Sequence, residues 1–482
     1  MSMLRKVFSV SGVCSALAIV GGCDDDDGAE DDANRNAPAE TVPSGGAPSG
    51  SGTTASNSNG TPTVANLVCG TDTGTGCAPE SQRVDLYVPS FSNPLQVTNP
   101  LFPIANLQSV VFTGQVDGEP FRSETTLLPE TKRFVLNGRE VETLTSQYMA
   151  FADGRLEEIA LDWYAQDDNG AVWYFGEDVA DYDEDGVIFT HEGTWAVGRD
   201  DAPLAMIMPA QPQAGQVYRA ETIAPIAWEE VTVQALGVTV EGPAGPIAGA
   251  MIGSELHMEG THQEKVFAPG YGEFSTGSLA TDDLEALALA VPVDALSGQP
   301  PPELDATTAS SADIFDAAAA SDWDGAVSLL DALMSGWDDY ASGAVPPRLE
   351  SEMLDAVESL ADALDSEDAA ETRQSAIAVA RVAFDLRLRY RPPAEIDTAR
   401  LDLWLAQLLV DAAANERGSV RGDAATAALV WNRIAHTFAA STSSEISNRL
   451  AQLGAAAASE DVPAAVNIAT QLRANLASNG WK

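Results

Sequence analysis

Between Asp181 and Glu192 the chain reads Asp-Tyr-Asp-Glu-Asp-Gly-Val-Ile-Phe-Thr-His-Glu, which fits the twelve-residue D-x-D-x-D-G-x5-E calcium loop. A hard Ca²⁺ ion takes six to eight oxygens. Asp181, Asp183 and Asp185 can point inward, Gly186 permits the sharp turn, the Val187 carbonyl can add an oxygen, and Glu192 can chelate with two. The flanks, AVWYFGE before and VIFTHEGTW after, are strand-like, whereas an EF-hand needs helices. In a chain this rich in aspartate the same residues also make an acidic hairpin turn, since Asp-Gly is a turn signal. Calcium is therefore a candidate ligand of the loop and not a required cofactor.

The other reactive residue types are sparse. Four histidines occur, His191, His257, His262 and His436. The run His257-Met-Glu259-Gly-Thr-His262 lacks HExxH spacing. On a strand His257 and Glu259 share a face while His262 points away, so ordinary surface or core histidines are expected. There is no G-x-S-x-G nucleophile turn, no P-loop and no Rossmann fingerprint. Paired carboxylates occur throughout and distinguish no glycosidase pair. No catalytic residue is assigned. Arg381, Arg387, Arg389 and Arg391 form the one basic stretch; Asp385 stands four residues from Arg381 and from Arg389, which predicts local pairing on a helix.

The elements that would position these residues fall into two groups. From 83 to 280 strand-like runs alternate with turn signals. Arg155–Gln166, the turn Asp167-Asp168-Asn169-Gly170 and the return AVWYFGE read as a hairpin. This predicts an antiparallel β sandwich or partly open barrel. Residues 281–304, with the run GQPPPEL, read as a linker. From 305 to 482 the period becomes helical. Trp323, Val327, Leu330, Met334 and Trp337 make one stripe, Leu349, Met353, Val357, Leu360 and Leu364 a second, and Leu401, Trp404, Leu405, Leu408, Leu409 and Ala412 a third. Pro346-Pro347 and Pro392-Pro393 interrupt the pattern. An all-α antiparallel bundle of roughly six helices follows from this.

The N-terminus carries an address. Arg5 and Lys6 precede an apolar run from Val7 to Val20, and small residues lead to Cys23. This is a secretory signal peptide over 1–22, too short to span a bilayer. Val20-Gly21-Gly22-Cys23 resembles the bacterial lipobox, which implies diacylation of Cys23 and an acyl anchor. Residues 23–64 open with Asp24-Asp25-Asp26-Asp27 and continue in Gly, Ser, Thr, Asn and Pro, a composition expected to stay a flexible, disordered tether. In 65–82, Cys69 and Cys77 flank CGTDTGTGC and are expected to form a local disulfide in an oxidising compartment.

The 482-residue chain has 72 acidic against 25 basic residues, a formal net charge of −47. Such a field repels nucleic acid and anionic head groups and favours solubility in a salty medium. The membrane is thus expected as a partner only through the lipid anchor, in the cell envelope on its periplasmic or outer surface, with a protein or other envelope component as the candidate partner of the displayed module.

NPLFPI at 99–104, DWYAQDDNGAVWYFGED at 162–178, HEGTW at 191–195, IMPA at 207–210 and FAPGYGE at 267–273 resemble a group of uncharacterised secreted bacterial β proteins. The resemblance implies a fold and an envelope location and assigns no chemistry. The sequence thus predicts an envelope lipoprotein that displays an interaction or structural module on a tether. A calcium-dependent binding or adhesion protein is the alternative, and a hydrolase the second.

Overall fold

A computed structural model describes residues 69–199, 202–278 and 283–478. The signal peptide, Cys23 and the tether lie outside the described residues.

Among the described residues, fourteen antiparallel strands form a sheet that is not closed. They are β1 (Ser109–Val116), β2 (Glu119–Leu136), β3 (Arg139–Ala152), β4 (Arg155–Gln166), β5 (Val172–Tyr182), β6 (Ile188–Thr190) and β7 (Trp195–Ala196). Then come β8 (Ala205–Met208), β9 (Val217–Ile223), β10 (Ala227–Gly242), β11 (Gly245–His257), β12 (His262–Ala268), β13 (Gly272–Ser278) and β14 (Asp283–Val291). The order is an up-and-down meander with the first and last strands paired: β6-β5-β4-β3-β2-β1-β14-β13-β12-β11-β10-β9, with β7 and β8 on β5. The two ends of this ladder curl toward each other. The Trp195 indole on β7 donates to Glu221 on β9 at 2.9 Å, although the two strands sit at opposite ends of the order. Of the two expected β architectures, the partly open barrel is the one found.

The β4–β5 hairpin forms where its turn chemistry places it. Asp167 Oδ1 accepts the Asn169 and Ala171 amides at 2.9 Å each, and Oδ2 accepts the Trp173 indole and the Tyr87 hydroxyl. The expected linker over 281–304 is corrected in its first half. Residues 283–291 are β14, which pairs with β1 from Ser109↔Val291 and with β13. Apart from Glu285 the run Leu284–Val291 is wholly apolar, as suits a strand covered on both faces.

Eight α-helices follow among the described residues, against about six expected. They are α1 (Pro302–Ala319), α2 (Trp323–Ala341), α3 (Pro347–Asp365), α4 (Ala369–Arg387), α5 (Pro393–Ala414), α6 (Arg417–Ile434), α7 (Ala440–Ala458) and α8 (Val462–Ser478). Pro347 and Pro393 open α3 and α5 at positions where a missing N–H costs nothing. The second expected stripe is buried in full, whereas the first is rotated. On α2 the buried residues are Ala326, Leu330, Leu333, Trp337 and Tyr340, while Val327 and Met334 face solvent.

Sheet and helices meet through a buried ionic layer. Arg122 and Glu124 on the outer face of β2 reach α4, α5 and α6. Arg122 makes a two-pronged contact with Asp385 at 2.6 and 2.9 Å. Arg400 donates to Asp385 at 2.6 Å and to Asp397 at 3.0 Å, and Arg433 donates to Glu124 at 2.7 Å and to Asp397 at 3.0 Å. Burial alone would raise the Glu124 carboxyl, but Arg400, Arg433 and Arg122 hold it well below its ordinary value. The expected local pairing of Asp385 with Arg381 and Arg389 is not made, because Asp385 is spent on Arg122 and Arg400. Arg389 instead donates to the Ala344 carbonyl at 2.9 Å. Around this layer Met149, Phe151 and Leu156 pack with Leu401, Trp404, Val430 and Trp431, so strands and helices share one core.

Candidate functional site

Strand side chains alternate between faces. On β2 the outer face carries Arg122, Glu124 and Thr126, which leaves Ser123, Thr125 and Leu127 pointing into the curl. The same alternation turns Ser146 and Tyr148 inward on β3, and Asp162 inward on β4. With Tyr164, Glu273 on β13 and Glu285 on β14, these residues line a cavity of ≈ 100 Å³. Its apolar side is built from Phe102, Pro103, Ile104, Leu107, Ile207 and Tyr271. That is room for several water molecules. No lysine, arginine or histidine is among the lining residues.

The carboxyls in this cavity accept hydrogen bonds from hydroxyls, and the one cation near them, Lys265, stands behind the lining, 3.8 Å from Glu273. Asp162 accepts the Tyr174 hydroxyl at 2.7 Å and Ser146 at 3.4 Å. Glu285 accepts the Ser123 hydroxyl, and Glu273 accepts Thr276 at 2.6 Å. Burial pushes Asp162 up to about 6 and Glu285 up to about 8, against the pull of their hydroxyl partners. Burial also raises Tyr148 and Tyr164 well above the ordinary phenol value, so both stay neutral donors.

A second acidic group lies on the other side of Lys265. The Lys265 ammonium sits 3.1 Å from Glu255 Oε2 and 3.8 Å from the cavity residue Glu273. Across β9, β10 and β11, Glu221 pairs in register with Glu229, and Glu229 with His257. Glu177 on β5 faces Glu221 across the gap. Burial, and then the negative charge of Glu221, raises Glu177 well above the carboxylate range. Burial, and then Glu229, does the same to Glu221. Glu255 rises to about 7 through burial and Glu229, against the pull of Lys265. Burial opposes the His257 imidazolium, but the hydrogen bond and charge of Glu229 outweigh it and lift His257 to about 9.

The residues singled out from the sequence are placed differently. Cys69 and Cys77 are at disulfide distance, with S–S 2.05 Å. Their loop is tied to the end of the sheet by Asp72 N–H to the Met258 carbonyl and Ala78 N–H to Glu230. The acidic loop closes as a hairpin turn. Asp183 Oδ1 turns back to accept the Asp185 and Val187 amides at 3.0 and 2.9 Å. The Val187 carbonyl, a candidate calcium ligand, accepts the Asp183 N–H at 2.9 Å. Asp185 and Glu192 are exposed; Asp181 is half-buried and raised to about 6 by burial and then by Glu192. The structure therefore does not gather Asp181, Asp183, Asp185, Val187 and Glu192 around one point. What the tip does is dock. A Cβ on Gly186 would lie 2.4 Å from Gly422 N and 2.7 Å from the Gly418 carbonyl, so the turn sits directly on α6.

Among the described residues, one group of histidine and carboxylate ligand atoms comes together within 4.8 Å: Glu229, Glu255 and His257. Glu259 and His262, the sequence neighbours of His257, go elsewhere. Glu259 accepts Thr261, and His262 Nδ1 meets Ser254 Oγ at 3.1 Å. The inward carboxyls escaped sequence reading because they arise from seven strands. The available signal was the quoted stretch 162–178, which supplies Asp162, Tyr164, Tyr174 and Glu177.

Compared with known protein families, curated proteins and solved structures, the chain matches none.

Proposed function

We propose that the chain is a lipid-tethered protein of the bacterial envelope that binds a small cationic ligand inside its curled sheet. The carrying observation is the cavity itself. Three carboxyls and two neutral tyrosines converge on a space with an apolar wall and no basic residue in its lining. Ligand sites combine mainly apolar walls with a few convergent polar groups. Here those groups are acceptors and phenols, which suit an ammonium that donates hydrogen bonds and lies against aromatic faces. Lipidation at Cys23 and the acidic tether would hold the binding module near a membrane without a spanning helix. None of the described helices is long and apolar enough to cross one.

The test is a thermal-shift and calorimetric titration of the secreted protein with ethanolamine, choline and putrescine. At least one should raise the melting temperature, since a ligand that binds only the folded state stabilises it by mass action. Asp162→Asn and Tyr164→Phe should abolish the shift while the proteins remain folded. Failure of all three amines at millimolar concentration removes the reading. Labelling with a palmitate analogue checks the anchor: label on the wild type and none on Cys23→Ser is expected.

A further inference from the structure

We propose that Glu229, Glu255 and His257 form a binding site for a divalent transition-metal ion of the Zn²⁺ class, distinct from the amine cavity. Their ligand atoms all lie within 4.8 Å of one another. His257 Nδ1 is 3.4 Å from Glu229 Oε1. Two ligands of a tetrahedral Zn²⁺, each bonded at about 2.1 Å, stand about 3.4 Å apart. One imidazole nitrogen with two carboxylate oxygens is a donor set that suits Zn²⁺ and leaves a fourth position open. A hard ion such as Ca²⁺ would want six or more oxygens, which this group does not supply.

The second observation is an oxygen with nothing to do. Glu255 is 1% exposed, and its Oε1 is buried with no hydrogen-bond partner. Its other oxygen is fixed by Lys265 at 3.1 Å. An acceptor left dry in this way costs on the order of 1–3 kcal/mol, and a metal ion would satisfy it. Lys265 then acts as an outer partner that orients the ligand carboxylate.

The scaffold is rigid and the site has a way in. Glu255 and His257 are two apart on β11 and share a face, and Glu229 lies opposite His257 on β10. The side chain of His257 is 16% exposed while that of Glu229 is 1% exposed, so the histidine marks the solvent side of the group. Beyond Glu229, Glu221 adds a third carboxyl, steadied by the Trp195 indole.

The experiment is calorimetric titration of the EDTA-stripped full secreted protein with ZnCl₂, with CaCl₂ and MgCl₂ as comparators. One Zn²⁺ per chain should bind, and Ca²⁺ and Mg²⁺ should not. Glu255→Gln and His257→Asn should each weaken Zn²⁺ by at least about 10-fold, a loss typical of disturbing a metal's ligand shell. His257→Asn sits at the solvent side and guards against a variant that fails to fold. Asp162→Asn and the pair Asp183→Asn/Asp185→Asn should bind Zn²⁺ as the wild type does, which separates this site from the cavity and from the surface loop. Absence of stoichiometric Zn²⁺ binding overturns the proposal. So does binding that survives both Glu255→Gln and His257→Asn, or that disappears with the loop pair. The amine titration reads the cavity alone, so the two proposals fail separately.

Discussion

Replacing Glu285 by Gln should flatten the dependence of stability on pH. Glu285 is 5% exposed, accepts the Ser123 hydroxyl, and is pushed by burial from its ordinary 4.5 up to about 8. In the unfolded chain the carboxyl ionises near 4.5; in the folded chain it stays protonated to about 8. Between these values the folded state binds the extra proton, so stability must fall as pH rises through the window and level off above it. Each pH unit is worth ~1.4 kcal/mol. Across the window from 4.5 to about 8 this carboxyl alone removes on the order of 5 kcal/mol of wild-type stability. Glutamine keeps the shape, does not titrate, and lets Ser123 accept instead of donate. Urea unfolding of both proteins at pH 5, 6, 7 and 8 gives the comparison. The variant should gain on the wild type by ~1.4 kcal/mol per pH unit over that range. Parallel curves would refute the reasoning, because they would mean that Glu285 ionises alike in both states.

Glu124→Ala strips one carboxylate from Arg400 and Arg433 and should cost about 3–5 kcal/mol, as is usual when one side of a buried ion pair is removed; denaturant unfolding reads it, and a loss under about 1 kcal/mol would show that the ionic layer carries no such weight. Gly186→Ala forces a side chain into a left-handed turn, φ 64°, pressed against α6. It should cost about 1–3 kcal/mol locally, seen as faster hydrogen exchange in the β5–β6 hairpin with the rest of the sheet unchanged. Millimolar Ca²⁺ should leave the melting temperature of the wild type where it is, because the acidic loop spends Asp183 and the Val187 carbonyl on its own turn; a rise that Asp183→Asn/Asp185→Asn abolishes would restore the loop as a chelate.

What the sequence made legible was whatever depends on near neighbours. The Asp167–Gly170 turn, the stripe from Leu349 to Leu364 and the change of period after the Pro-rich run are set by residues a few positions apart, and all appear in the fold. Strand β14 was missed because a short apolar run beside a linker signal carries no alternation to read. The α2 stripe was rotated because Val327 and Met334 continue the apolar pattern on a side that no partner covers. The inner face was missed for a deeper reason. In a strand, an alternate Glu is normally the solvated side, and in so acidic a chain nothing marks Glu221, Glu229, Glu255 or Glu285 as exceptions. Only the curl of the sheet turns that side inward. Likewise, nothing local could show that Gly418 and Gly422 would receive the tip of a hairpin more than 200 residues earlier.

With β1 and β14 zipped together, the ring is broken not at the chain ends but in mid-sequence, between β8 and β9. Only residues 209–216 join those two strands. No ladder pairs β8 with β9; the hoop is fastened there by a clasp of side chains, Trp195 on Glu221 with Glu177 opposite, and by the segment 83–99, whose backbone bonds Val217 on β9 and Gln166 and Asp168 at the β4–β5 turn. Any opening of the hoop there must therefore also release the segment 83–99 from β9 or from the β4–β5 turn, so the clasp and this strap act as one fastening.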